Sequence, residues 1–173
     1  MIFNLFKAKE KPVQSEQVQE KHASIVWKET YVAGLEYYDF KKYMHALKED
    51  DALIENDDYY LKKKDFIEEI AERERVYQYE EYQCDFDLIR DEQNEHDKNA
   101  VKVVADYKGE KYMLGYVPKS LTKKVMRCHE LHAIPSLRIV GGKYKKHNGY
   151  DIDKDETDYS LKLDYAIEKK EGN

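Results

Sequence analysis

AVKVVADYKGEKYMLGYVP, residues 100–118, is the stretch that most strongly predicts the fold. Two apolar runs, each long enough for a strand, flank a turn at Lys108 and Gly109. Pro118 ends the second run, because proline has no N–H to donate to a ladder of strand hydrogen bonds. The pattern predicts a β-hairpin.

Alternating apolar and polar residues predict further strands on both sides of this hairpin. They precede it in CDFDLIR, residues 84–90, and in the run that begins at Ile25 and ends at Gly34. They follow it in SLRIVGGKYKKH, residues 136–147, and in residues 159–167. About six strands without a βαβ rhythm predict an α+β fold that is mainly β, with an antiparallel sheet curled toward a barrel.

Helical spacing of apolar residues appears in three segments. FKKYMHALKEDD and YLKKKDFIEEIAERERV, residues 40–51 and 60–76, lie between the first two predicted strands. They predict a helical insertion over residues 40–82. KSLTKKVMRCHELH, residues 119–132, predicts a further helix after the hairpin.

Length and composition favour a soluble globular protein. The chain of 173 residues is 41% hydrophobic and suits one domain, which we place at residues 24–169 after a mobile tail at residues 1–23. A net charge of −6 argues against coating nucleic acid by bulk electrostatics, because that requires clustered Lys and Arg.

The location expected from the sequence is the cytoplasm. Two cysteines without paired spacing fit free thiols in a reducing compartment. The apolar start MIFNLF is too short for a signal peptide or a membrane span, so we expect no membrane contact.

Motifs for catalysis and for cofactors are absent from the sequence. It contains no Gly-rich phosphate loop, no GxSxG and no HExxH, so we expect neither an enzyme nor a cofactor. Cys128 and His132 lie four residues apart on a predicted helix, but zinc needs three or four converging ligands. We therefore expect no metal site, with Cys128 packed in the core.

The link between two predicted strands is unusually polar. DEQNEHDKN, residues 91–99, separates CDFDLIR from the hairpin, although two turn residues would suffice to reverse the chain. Asn94, His96, Asp97 and Asn99 could hold a sugar hydroxyl, because a carboxylate accepts a hydrogen bond and an amide both donates and accepts. The alternative is that these side chains satisfy the backbone of their own turn.

A basic stripe follows the hairpin. Lys119, Lys123 and Arg127 lie at i, i+4 and i+8, a spacing that places their side chains on one face of a helix. Such a stripe can contact phosphates. It is equally typical of a solvated helix face, and this second interpretation is the simpler one.

These segments together resemble a known family. YVAGLEYY, then FDLIRDEQNEHDKNAVKVV, then LGYVPKSLTKKV are similar, in this order, to segments of the HIRAN domain. That domain occurs at the front of helicase-like DNA-repair translocases and as small standalone proteins of bacteria and phages. The resemblance covers residues 32–125, with a gap across the insertion.

The resemblance implies a small OB-like or SH3-like barrel that binds single-stranded DNA at its free 3' end. Asp97 would accept the terminal 3'-hydroxyl, and Lys119 would meet a phosphate. Where the DNA-end-binding members have arginine and tyrosine, this chain has Glu36 and His96. The full set of residues expected to bind nucleic acid is Tyr37, Tyr38, Asn94, His96, Asp97, Tyr116, Lys119 and Lys123.

Three functions compete at this point. The first is a non-catalytic module that binds single-stranded DNA in DNA repair or processing. The second is a protein-interaction module, docking through residues 40–76 on a DNA-processing, phage or plasmid complex. The third, which we rank last, is a hydrolase that uses His96 and Asp97 together, because adjacent residues at a strand end tend to point apart.

Overall fold

The structure is a computed structural model, and it describes residues 24–169. The predicted tail at residues 1–23 lies outside the described residues. No helix in the described range is long and apolar enough to cross a bilayer.

Strands dominate the described part of the chain. Its α-helices are α1 (Phe40–Glu49), α2 (Lys63–Glu69) and α3 (Thr122–Met126), and single 3-10 turns lie at Leu35–Tyr37, Asp57–Tyr60 and Arg127–Leu131. Its strands are β1 (Ile25–Tyr31), β2 (Val76–Tyr77), β3 (Tyr82–Cys84), β4 (Phe86–Arg90), β5 (Val101–Tyr107), β6 (Glu110–Tyr116), β7 (Ser136–His147) and β8 (Ile152–Glu168).

The strands form two antiparallel sheets. One has the order β1-β8-β7-β2, with β3 also paired to β7, and the other has the order β4-β5-β6. The predicted α+β class with mainly antiparallel β structure is confirmed, and so is the hairpin, as β5 and β6. The expected single curled sheet of about six strands is instead two open sheets with eight strands in the described range.

The length of β7 explains why the described range has more strands than the six predicted. β7 and β8 have 12 and 17 residues, so β7 has room to pair with both β2 and β3 along its length. These short strands come from the end of the segment expected to be a helical insertion. Helices occupy its first part, whereas Val76 and Tyr77 are extended because they pair with Lys145 and Tyr144.

The insertion supplies part of the core. Helix α1 buries Phe40, Tyr43, Met44 and Leu47, and this apolar face joins the same hydrophobic cluster as the strands of both sheets. Apolar residues at i, i+3, i+4 and i+7 form one face of a helix, which is why this sequence folds against the sheet. A protein that docks on residues 40–76 would therefore contact the exposed, mostly polar side chains of this segment, because the apolar face of α1 is buried.

Both cysteines are free and buried. The Cys128 Sγ accepts a hydrogen bond from the N–H of Ala166 at 3.2 Å. Ala166 belongs to the part of β8 that extends past its pairing with β7. Burial raises the pKa of the Cys84 thiol to about 11. No group of three or more His, Cys, Asp or Glu residues within residues 24–169 could hold a metal ion. A cytoplasmic location stays a prediction.

One bridge joins the two sheets. The Ala33 N–H donates to the carbonyl of Tyr116, and the Tyr116 N–H donates to the carbonyl of Ala33, both at 2.9 Å. Gly115 allows this close approach, because a Cβ at this position would collide with the Ala33 carbonyl oxygen and lie 2.8 Å from Val32 Cγ1. The end of the first sheet is thus held beside the last residue of β6.

Replacing Gly115 by alanine should separate the two sheets at this bridge. We expect Gly115→Ala to lower the free energy of unfolding by about 1–3 kcal/mol, as overpacking does in a tight core. Urea denaturation followed by circular dichroism measures this loss.

Gly109→Ala is the matched control, since a Cβ there meets nothing within 4 Å. It introduces only the backbone penalty of a left-handed turn position. A loss in Gly115→Ala no larger than that in Gly109→Ala would contradict the importance of the close approach.

Candidate nucleic-acid interface

The loop from β4 to β5 is bonded to itself. The Asn94 Oδ1 accepts from the backbone N–H groups of His96 and Asp97, both at 2.9 Å. The Asp97 Oδ1 accepts from the N–H of Asn99 at 2.9 Å, and the Asp97 carbonyl accepts from the N–H of Ala100 at the same distance. These hydrogen bonds fix the backbone of the loop. They use Asn94 Oδ1 and Asp97 Oδ1, so Asp97 Oδ2 takes no part in the turn.

Asp97 keeps one carboxylate oxygen outside the turn. Its Oδ2 lies 3.9 Å from the Nζ of Lys119, which follows β6 after two residues. The Asp97 side chain is 17% exposed, whereas the Lys119 side chain is 78% exposed. A partly accessible acceptor therefore lies beside a largely exposed cation.

Tyr116 connects this loop to the sheet. Its hydroxyl donates to Asp91 Oδ2 at 2.6 Å, while Lys102, opposite Tyr116 in the strand register, lies 3.1 Å from Asp91 Oδ1. Burial, aided by this acidic acceptor, raises the pKa of Tyr116 to about 12, and the side chain of Asn94 acts on the phenol in the opposite direction. Tyr116 is thus a neutral donor at physiological pH.

Asp91 is the acid that holds this corner. The hydrogen bond from Tyr116, followed by the contact with Lys102, lowers its pKa below the ordinary value of 3.8. Sequence reasoning did not select either Asp91 or Lys102. The available signal was an acidic residue placed directly after a strand of alternating residues, at the first position of the polar loop.

An aromatic pair lies on the side of Tyr116 that faces the Leu35–Tyr37 turn. The rings of Tyr38 and Tyr116 meet edge to face, with centroids 5.6 Å apart. Gly34 begins the turn that carries Tyr37, and a Cβ there would lie 3.2 Å from the Tyr38 ring. The edge-to-face arrangement is the preferred geometry of an aromatic pair, and it leaves Tyr38 39% exposed.

The structure brings together five of the eight predicted residues through direct contacts or a shared neighbour: Tyr38, Asn94, Asp97, Tyr116 and Lys119. The other three are exposed, and within residues 24–169 their side chains have no hydrogen-bond or ion-pair partner. Tyr37 is 79% exposed on the turn before Tyr38, His96 lies on the loop between Asn94 and Asp97, and Lys123 lies on α3.

The chemistry of this surface suits a polar ligand with planar rings. It offers one free carboxylate oxygen for a hydroxyl, exposed tyrosine rings for stacking and a lysine for an anion. These groups lie where the bridge between Ala33 and Tyr116 joins the two sheets.

The fold and this surface are those of a small β-rich recognition domain. The family model of the HIRAN domain matches residues 28–144. The chain therefore belongs to the HIRAN domain family, and the HIRAN domain is a nucleic-acid-binding module. No curated protein and no solved structure gives a significant match to this chain.

Asp91 should make stability depend on acidity. Because its pKa is lowered in the folded state, its contribution is present above about pH 4 and is lost as pH falls through the folded pKa. We expect Asp91→Asn to be less stable than the wild type at pH 7, with the difference shrinking between pH 4 and pH 2. Urea titrations across this range measure it.

Asp87→Asn, which removes an exposed carboxylate on β4, serves as the control. It should retain the acid dependence of the wild type. If Asp91→Asn instead ran parallel to the wild type from pH 7 to pH 2, Asp91 would not hold the corner through its charge.

Proposed function

We propose that this HIRAN domain binds single-stranded DNA at a free 3' end and catalyses no reaction on it. The observation that carries the proposal is that the two carboxylate oxygens of Asp97 have different partners. One of its oxygens fixes the loop, and the other faces Lys119 at 3.9 Å. A terminal hydroxyl needs such an acceptor, and the adjoining phosphate needs such a cation.

The three tyrosines and Asn94 have matching roles. Tyr37 and Tyr38 present exposed rings on which the end bases stack, since base–aromatic stacking tolerates any sequence. Tyr116 orients Tyr38 through the edge-to-face contact. Asn94 holds the loop through His96 and Asp97, so that the carboxylate approaches the sugar at a fixed angle.

A binding role suits Asp97 better than hydrolysis. One carboxylate oxygen accepts from the N–H of Asn99 at 2.9 Å and the other faces Lys119 at 3.9 Å, so both oxygens already have polar neighbours that hold the side chain in place. His96 and Asp97 both give their backbone N–H groups to Asn94, which keeps this pair in a turn. These contacts support recognition of a hydroxyl.

The affinity should be modest. The chain carries a net charge of −6, and Lys119 and Lys123 are the two cations that we assign to the strand near its end. Each neutralised phosphate of a single strand contributes about 0.7 to the slope of log K against log salt. A shallow salt dependence therefore distinguishes end recognition from bulk attraction.

The direct test is a comparison of strands that end in 3'-hydroxyl and 3'-phosphate. We expect the wild type to prefer the hydroxyl by roughly 10–100-fold, the range of a hydrogen bond to a charged group. Asp97→Asn keeps an oxygen for the Asn99 N–H but replaces the free carboxylate, so this preference should disappear. Competition against a strand labelled at its 5' end, read by fluorescence anisotropy, measures it.

Asp106→Asn is a closely matched control. The Asp106 Oδ1 accepts from the N–H of Gly109 in a turn, and its Oδ2 lies 3.4 Å from Lys111, away from the loop. It should leave the preference intact. Equal affinity of the wild type for both strand ends would overturn the proposal.

Lys119 should contribute through charge alone. We expect Lys119→Gln to weaken binding to all strands equally and to reduce the salt slope by about 0.7, because one phosphate contact is lost. Titrations at several salt concentrations measure both effects. Lys111→Gln, which removes a lysine paired with Asp87 and Asp106, should change neither; an unchanged slope in Lys119→Gln would contradict the assigned contact.

A further inference from the structure

A groove borders the turn that carries Tyr37. Its volume is about 720 Å³, it is lined by helix α1 and strand β8, and Gly34, Leu35 and Glu36 also line it. We call it the α1 groove. Pockets of this size accept ligands as large as a nucleotide.

The floor of the α1 groove is apolar and aromatic. Val32, Phe40 and Met44 are buried at its base, and the half-buried ring of Tyr159 forms a side. The Lys48 Nζ lies 4.7 Å from the centre of this ring. A flat apolar group that enters the groove would thus meet a ring and a cation together.

Helix α1 contributes two lysines and a histidine to the groove, and the histidine Nε2 lies 3.2 Å from Glu49 Oε1. Lys41, His45 and Lys48 lie at i, i+4 and i+7, so their side chains share one face of the helix. All three residues are exposed and border the groove. Neither lysine forms an ion pair within residues 24–169, whereas Lys42 on the next face is paired with Asp39 at 2.8 Å.

Two acids complete the mouth of the groove. Glu36 lies on the Leu35–Tyr37 turn, and Asp158 lies on β8. They would repel a phosphate near them but accept hydrogen bonds from the exocyclic amino groups of adenine, cytosine and guanine. The groove therefore offers cations on its helical wall and acceptors on the opposite side.

The α1 groove lies beside the surface proposed to hold the strand end. We call that surface the end-binding surface, and it consists of Tyr37, Tyr38, Asn94, Asp97, Tyr116 and Lys119. Glu36 borders the groove, while Tyr37 and Tyr38 follow it directly in the chain and belong to the end-binding surface. Val32 lies in the groove, and the next residue, Ala33, is hydrogen-bonded to Tyr116. A strand that leaves the end-binding surface has only a single 3-10 turn to cross.

We propose that the α1 groove holds a nucleotide upstream of the 3' end of the same bound strand. This inference rests on the proposed function and extends it. The base lies against Met44 and Tyr159, flanking phosphates meet Lys41 and Lys48, and Glu36 and Asp158 accept from the amino groups of the base. Bases with an exocyclic amino group are preferred to thymine.

Charge and continuity identify the occupant. Lys41 and Lys48, which have no ion-pair partner among residues 24–169 of this acidic chain, match the phosphates of a strand, and the groove opens beside the place where that strand is proposed to end. The groove also explains how Glu36 can face nucleic acid. Its carboxylate would repel a phosphate, but it can accept hydrogen bonds from the amino groups of a base.

The test compares a dinucleotide with a strand of about eight cytidines, a length within the range that a single OB fold covers. Both end in 3'-hydroxyl. We expect the longer strand to bind the wild type roughly tenfold tighter, because it reaches two further cations. Lys41→Gln combined with Lys48→Gln should remove most of this gain and leave dinucleotide binding unchanged, as measured by competition.

Lys42→Gln combined with Lys64→Gln is the matched control. It changes the net charge equally through exposed lysines of α1 and α2 that do not border the groove. It should keep the gain from length, and oligo-dC should bind the wild type more tightly than oligo-dT of the same length.

The failures of the two proposals differ. If the dinucleotide binds through Asp97 but length adds nothing, or both double variants lose the gain equally, the α1 groove does not hold the strand and end recognition stands. If neither strand shows a preference for 3'-hydroxyl over 3'-phosphate, end recognition fails, and the inference about the groove fails with it.

Discussion

The fold and the candidate nucleic-acid interface both depend on Tyr116. Its backbone exchanges two hydrogen bonds of 2.9 Å with Ala33 and so joins the sheets. Its hydroxyl holds Asp91, and its ring packs against Tyr38. A change that moved this residue would shift the loop, the aromatic pair and the relative position of the two sheets at once, because a packed core transmits small displacements.

Electrostatics in this protein are local. The net charge of −6 provides no general attraction for nucleic acid, so the proposed binding relies on individual cations held near acceptors. At Asp97 and Lys119 the ligand would replace an internal contact. In the proposed complex the hydroxyl donates to the carboxylate and the phosphate contacts the lysine, so each of the two side chains keeps a polar partner. A contact of 3.9 Å with a lysine that is largely exposed contributes little to stability, so exchanging it requires little free energy.

Sequence patterns predicted the parts of the fold that have strong local signals. The hairpin turn at Lys108 and Gly109 and the strand Ser136–His147 agree with the structure. β2 was missed because two residues carry no measurable periodicity and are extended only through pairing with β7. The division of the strands into two open sheets depends on which distant strands pair with each other. The alternation of apolar and polar residues along a single strand does not specify those partners.

The candidate site was partly predictable for similar reasons. Asn94, Asp97 and Lys119 lie in segments that resemble the family, and the structure places them together. Asp91 escaped notice because its importance comes from Tyr116 and Lys102, each of which is distant in the sequence. The α1 groove could not be foreseen either, since its walls come from the insertion and from β8.

The most direct test of the central claim is an NMR titration of the ¹⁵N-labelled protein with a short single strand that ends in 3'-hydroxyl. We predict that the largest amide shifts fall on the loop from Asn94 to Asn99, on Tyr37 and Tyr38, and on Lys119. A 3'-phosphate strand of the same sequence should leave the loop signals nearly unchanged. If the loop failed to respond to the hydroxyl strand, or responded equally to both, then Asp97 would not recognise a strand end.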